Sequence, residues 1–165
     1  MKTIPLNLQT HIPILGFGTW QLTGKKAMRA VLKALEIGYR HIDTAKVYGN
    51  HKEIGRAILE SGVPRGDLFI TSKVPWLPLK YRKVISACDI ALKELGTEYL
   101  DLYLIHWPNR RVPIADTLRA LKELQEQGKI RAIGVSNFTI NHIKDAIATE
   151  VPIANNQIEF HLDSS

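Results

Sequence analysis

Apolar residues recur along the chain in two alternating rhythms, and together these predict a repeated strand–helix unit. Residues 14–20 read as a first strand and its following loop. Across residues 26–37, Met28, Val31, Leu32 and Leu35 fall on one helical stripe, and Gly38 stands where a helix closes. Residues 41–45 form a short strand. Asn50, with Glu53 three places on, makes a capping-box-like helix start, with Ile54, Ala57 and Ile58 inside. Residues 62–67 are a glycine- and proline-marked loop before a strand over 68–74. Val84, Cys88, Ala91, Leu92 and Leu95 mark a helix ended by Gly96, and residues 100–107 form a strand with almost no polar relief. Leu118, Leu121 and Leu124 mark a helix closed by Gly128, followed by a strand over 130–135. Ile140, Ile143 and Ile147 mark a short helix, and residues 153–160 a last strand.

The strands recur roughly every 25–30 residues, one βα unit each, which implies a parallel sheet with right-handed crossovers. Two architectures fit: an open doubly wound sheet, or part of a (β/α)8 barrel. A barrel needs eight strands in about 250 residues. Read as a barrel, the chain stops after about strand six. No linker or low-complexity segment divides residues 1–165, so a single domain is expected.

Composition changes this picture little. With 165 residues, 45% apolar, and 22 basic against 16 acidic side chains, the chain is ordinary globular material. A single cysteine, Cys88, excludes an internal disulfide framework and a cysteine-rich zinc site. No apolar run approaches the ~20 residues that span a bilayer, and the N-terminus has no long apolar stretch. A reducing, cytoplasmic setting without membrane contact is expected. The pI near 9.5 raises nucleic-acid binding. Against it, no basic run exceeds two residues and no basic stripe interleaves with aromatics. Attraction of an anionic cofactor or substrate suits the same sign.

Familiar catalytic motifs are missing. Gly16 and Gly18 begin a dinucleotide fingerprint, but Gln21 stands where its third glycine belongs. There is no P-loop, no Gly-x-Ser-x-Gly elbow, and no His-Glu-x-x-His among the six histidines, so no metal site is expected. Polar residues instead interrupt the apolar strands at their ends: Asp43, Lys73, His106, Ser136 with Asn137, and Gln157. C-terminal strand ends are where a parallel α/β barrel places its chemistry. Charges in such strands cost several kcal/mol unless paired, which makes Asp43 and Lys73 natural partners. Singly, each has a plain structural reading. Jointly, with Tyr48 shortly after Asp43, they point to a site.

Several longer segments carry a resemblance. They are residues 16–20 (Gly-Phe-Gly-Thr-Trp), 38–45 (Gly-Tyr-Arg-His-Ile-Asp-Thr-Ala) with Tyr48, and Ser72-Lys73. Residues 99–108, 128–138 and 156–159 continue it. The chain resembles the aldo-keto reductases, and within them the bacterial members typified by 2,5-diketo-D-gluconate and methylglyoxal reductases. The resemblance implies a (β/α)8 barrel that uses NADPH to reduce a small carbonyl substrate. It implies a catalytic tetrad at Asp43, Tyr48, Lys73 and His106. Tyr48 would give the proton, with a pKa lowered by the Lys73 cation. Asp43 would keep Lys73 charged, and His106 would orient the carbonyl oxygen. Ser136, Asn137 and Gln157 would hold the nicotinamide carboxamide, with Thr19 and Asp43 as further cofactor-binding positions. Trp20, Trp76 and Trp107 would wall the substrate pocket.

Relatives continue through two more strands and their helices, where the resemblance places the adenosine and phosphate part of the cofactor site. Six strands cannot close a barrel, so the first and last become edges and inward side chains lose cover. The expectations are weak NADPH affinity for these residues alone, and self-association through the open edges. The alternative reading is an inactive remnant, or a scaffold or regulatory binding protein of the same fold.

Overall fold

The N-terminal residues fold into a hairpin that the apolar pattern does not announce. In the computed structural model, which describes residues 2–76 and 79–161, β1 (Thr3–Pro5) pairs antiparallel with β2 (His11–Pro13). The turn is set by one side chain: Asn7 Oδ1 accepts from the backbone N–H of Gln9 at 2.9 Å and of Thr10 at 2.7 Å. An Asx turn of this kind needs no Asn-Gly pair.

A six-stranded parallel sheet follows. Its strands are β3 (Phe17–Gly18), β4 (His41–Asp43), β5 (Phe69–Val74), β6 (Leu100–Ile105), β7 (Ile130–Ser136) and β8 (Asn156–Gln157). Between successive strands run α1 (Gly24–Glu36), α2 (His51–Ser61), α3 (Tyr81–Leu95), α4 (Ile114–Glu126) and α5 (Ile140–Ile147). Spatial order equals chain order throughout. A doubly wound sheet would reverse order at a switch point, so the barrel winding is the one present.

The sheet is strongly curled. Gln157 on β8 donates to Asp43 Oδ2 on β4 at 2.8 Å. These strands lie four places apart, which in a flat sheet would be roughly 19 Å. The structure is therefore a six-stranded section of a (β/α)8 barrel wall.

Side chains alternate between the two faces. Ile42, Ile70, Tyr103, Ile105, Ile133 and Val135 point outward into one large core with the helices, against residues such as Leu35, Ile54 and Leu121. Phe69, Leu102, Leu104 and Ala132 form a smaller cluster inside the curl. The expected loss of inner cover does not occur there: all four are at most 5% exposed. Leu6 and Ile12 of the hairpin segment and Ala154 pack over them.

Three elements differ from the pattern-based reading. The first and last strands shrink to two residues each, at the two ends of the sheet. Flanking residues still follow the neighbour, as Ala154 donates to the Ile133 carbonyl at 2.8 Å, without a continuous ladder. Asn50 precedes α2 as expected, but its side chain makes no cap hydrogen bond.

Helix α2 crosses the end of α3 closely at Gly55. A Cβ there would sit 2.7 Å from the carbonyl oxygen of Leu95, which is backbone and cannot swing aside. Helix propensity alone favours Gly55→Ala by about 1 kcal/mol. Overpacking costs about 1–3 kcal/mol. Thermal melts should therefore give a lower Tm for Gly55→Ala, and an equal or higher Tm would mean that the helices separate at no cost.

Candidate active site

Because the sheet is parallel, its strands finish at one edge, and the polar residues of the apolar strands collect there. Asp43 ends β4, Lys73 is next to last in β5, and His106 follows β6. Ser136 ends β7, Asn137 follows it, and Gln157 ends β8. Tyr48 arrives from a single helical turn, Lys46–Tyr48, stopped by Gly49 at φ +67°. These residues border an open cleft of about 790 Å³, except Asp43 and Lys73, which lie beneath it.

Lys73 is 2% exposed and reaches three groups. Its ammonium pairs with Asp43 Oδ1, donates to the Thr44 carbonyl at 3.1 Å and meets the Tyr48 hydroxyl at 3.5 Å. Burial pulls the lysine pKa down, and the Asp43 carboxylate opposes that. The expectation that Lys73 acidifies Tyr48 is not met. The phenol is pushed up to about 12, first by burial and then by the Asp43 charge. With Asp43 against it, Lys73 presents half of a neutral pair rather than a free cation. Tyr48 is therefore fully protonated at neutral pH.

His106 stands across from Tyr48, its ring 5.8 Å away and edge-on. Burial, then the positive charge of Lys73, push its pKa down to about 4, so the ring is neutral. Its Nδ1 is buried without a partner. A bare lone pair costs less to bury than an orphaned N–H. That assigns the proton to Nε2 and makes the other ring nitrogen the donor.

The amides line the cleft beside His106. Asn137 Nδ2 donates to the His106 carbonyl at 3.1 Å and to Ser136 Oγ at 3.0 Å. Asn137 holds φ +61°, a left-handed conformation that asparagine tolerates better than most residues. Asn137 Oδ1 and Gln157 Oε1 have no protein partner among the described residues, and the Ser136 hydroxyl donates to none. Two open acceptors and one open donor suit a carboxamide, which offers two N–H and one carbonyl. The residues present thus fit the nicotinamide end of the cofactor.

The sequence-selected residues do not all reach the cleft. Thr19 is wholly buried, and its hydroxyl donates to the Asp43 carbonyl at 3.0 Å. It supports β4 and contacts no cleft. Both Asp43 carboxylate oxygens are already engaged, by Lys73 and Gln157. Trp20, Trp76 and Trp107 all line the cleft, 69%, 44% and 48% exposed, so none is core packing.

One supporting residue was legible only as a helix start. Asn50 is fully buried. Its amide donates to the carbonyls of Thr19 and Leu22, both at 2.9 Å, and its Oδ1 accepts from the Thr44 hydroxyl at 2.9 Å. It joins the loop carrying Trp20 to the turn carrying Tyr48. Nothing local in the sequence marks this, because its partners lie up to 31 residues away. Among the described residues there is no cluster of three metal-ligating side chains, and no helix long and apolar enough to cross a membrane.

Fold and site together define an enzyme-type barrel wall with a Tyr–Lys–Asp–His constellation at its C-terminal edge. Residues 14–164 match the Aldo/keto reductase family, and the chain belongs to that family. It is 47% identical over 163 residues to an aldo-keto reductase of Mycolicibacterium smegmatis, covering 96% of this chain and 58% of that one. It is 40% identical over 190 residues to the glycerol 2-dehydrogenase (NADP(+)) of Saccharomyces cerevisiae, covering 97% and 60%. The crystal structure of an aldo/keto reductase from Brucella melitensis superposes with a TM-score of 0.92 at 45% identity, covering 97% of this chain and 63% of that one. The chain spans rather more than half the length of these relatives.

Two predictions follow from the buried polar groups. Asn50→Ala leaves the Thr44 hydroxyl and the Leu22 carbonyl without their partner, and the Thr19 carbonyl with the Leu22 N–H alone, at about 1–3 kcal/mol in total stability. Urea unfolding should show that loss, and an unchanged midpoint would contradict the tethering role. The second concerns pH. His51, buried between Ser72 and Glu94, is also pushed down to about 4, chiefly by burial. The unfolded chain, with ordinary histidines near 6.5, binds more protons between these values, so stability falls as pH falls through that window. Between pH 7 and 5 each histidine should remove on the order of 1–2 kcal/mol. A urea midpoint independent of pH over that range would refute the assignment.

Proposed function

We propose that this chain carries the proton-transfer centre of an NADP-dependent reductase that converts aldehydes or ketones to alcohols. The observation that carries the reading is the protonated Tyr48 hydroxyl, set beside the Lys73–Asp43 pair and facing the His106 ring in one cleft. The similarity to the yeast glycerol 2-dehydrogenase (NADP(+)) supports the choice of cofactor.

When bound, the reduced nicotinamide supplies hydride to the carbonyl carbon. Ser136, Asn137 and Gln157 hold its carboxamide and so fix which ring face meets the substrate. Tyr48 and the His106 Nε2–H both donate to the carbonyl oxygen. As negative charge grows on that oxygen it becomes far more basic than a phenolate, and the Tyr48 proton moves to it. The Lys73 ammonium then faces a phenolate, which it stabilises more than the neutral phenol. Trp20, Trp76 and Trp107 form the apolar walls for small substrates such as 2-oxoaldehydes or keto sugars. The setting proposed is the cytoplasm, with no nucleic acid or membrane as partner. Self-association through the edges of the six-stranded sheet would use the two-residue β3 and β8.

The test is NADPH oxidation with methylglyoxal, run beside Tyr48→Phe. Turnover should fall by about 10²–10⁴ in the variant. Equal turnover in both removes Tyr48 as proton donor. No turnover in either favours a non-catalytic binding role for this chain.

A further inference from the structure

A second hollow, of about 480 Å³, opens beside the cleft. Trp76 and Trp107 line both, so the two are continuous across these rings. Pro108, Asn109 and Arg111 also line it. Among the described residues Arg111 is the charged group of this hollow, and no carboxylate lines it.

The arginine is held in place by its neighbours. Asn109 Nδ2 donates to the Trp76 carbonyl at 2.9 Å, tying the loop after β6 to the loop after β5. Asn109 Oδ1 accepts from the Arg111 backbone N–H at 2.9 Å. The backbone of Arg111 is thus fixed relative to Trp76, while no ion pair or hydrogen bond occupies its guanidinium among the described residues. Other arginines contrast with it: Arg65 and Arg131 both pair with Asp101, and Arg119 with Asp116.

Arg110, next in the same loop, points elsewhere. It lines another hollow together with Asp145 and His142, which meets the first at Pro108 and Asn109. The two arginines carry the same charge but address different surfaces.

We infer that Arg111 determines substrate preference, selecting carbonyl compounds that carry a carboxylate a few atoms from the reacting group. This rests on the cleft being the carbonyl site proposed above. The Lys73 charge is answered by Asp43, so it offers little to an anion entering from solvent. Arg111 supplies the open positive charge, and its planar fork matches a carboxylate in two parallel hydrogen bonds. The tryptophan faces hold the apolar links between the two ends.

All three tryptophans of the chain border the cleft, so intrinsic fluorescence reports its occupancy without cofactor or turnover. The experiment titrates 4-oxopentanoate and its neutral methyl ester into the unaltered chain, Arg111→Gln and Arg110→Gln. The unaltered chain should bind the acid about tenfold more tightly than the ester. Arg111→Gln should erase that ratio while leaving ester binding alone, and Arg110→Gln should keep it. Inorganic phosphate is added as a competitor. Phosphate should displace the acid and leave the ester bound; displacement of both alike overturns the carboxylate assignment, since the anion would then act on the cleft as a whole and not on Arg111. An equal loss in both variants also overturns the inference, since it would mean overall charge and no local contact. A ratio that persists in Arg111→Gln overturns it as well.

Failure of the broader reading looks different. If Tyr48→Phe and the unaltered chain are equally inactive while the acid preference holds, the reductase function falls and the Arg111 site stands. If turnover depends on Tyr48 but acid and ester bind alike, the opposite follows.

Discussion

An ammonium group buried inside a parallel sheet has to be answered on the spot, and the Lys73 ammonium sets most of the site geometry. Removing one partner of such a pair costs about 3–5 kcal/mol, because the other charge is left without water. Asp43 therefore cannot drift. Its second oxygen takes Gln157, which draws the far end of the sheet across the curl. The Thr44 carbonyl takes another ammonium proton and fixes where β4 gives way to the Tyr48 turn. Three stretches of chain, the end of β4, the Tyr48 turn and β8, are thus placed relative to one charge.

The same pair explains the protonation of its neighbours. Lysine and aspartate together are close to neutral, so burial dominates at Tyr48 and His106. Burial resists charge on either, leaving a phenol above its ordinary pKa and an imidazole below its own. The result is two neutral donors on one side of a cleft. Such donors are already oriented when negative charge appears on a bound oxygen, and they need no reorganisation to stabilise it. A free cation at Lys73 would acidify the phenol at rest. The paired one responds to phenolate only once it has formed.

Much of this was legible in the sequence because a parallel sheet converts strand ends into neighbours. Asp43, Lys73, His106, Ser136, Asn137 and Gln157 each break an apolar run, and one rule about the C-terminal edge brings them together. What was not legible depends on distant partners or on a single side chain. Asn50 reads as a helix start, and only the fold reveals that its amide joins two loops. Thr19 stands beside Trp20 in sequence, yet one faces the Asp43 carbonyl and the other faces the cleft. The hairpin hid behind an Asx turn and two prolines. The sign of the Tyr48 shift needed burial and the Asp43 charge together, and spacing supplies neither.

The site gains its precision from the outer face of the sheet. Successive residues on a strand alternate faces, so every inward polar residue is flanked by outward ones. Lys73 lies between Ser72 and Val74. Ser72 bonds His51 of α2 at 3.1 Å, and Val74 sits in the main core. His106 follows Ile105, and Ser136 follows Val135, both wholly buried against helices. Rotating any of these polar side chains out of place would drag an apolar neighbour from that core, at about 1.5–3 kcal/mol for a fully exposed one. The outer core is complete without contact across the curl, since its residues pack sheet against helix. The cleft therefore inherits a rigid frame from packing that never touches it, while the Gln157–Asp43 bond relies on the curvature itself.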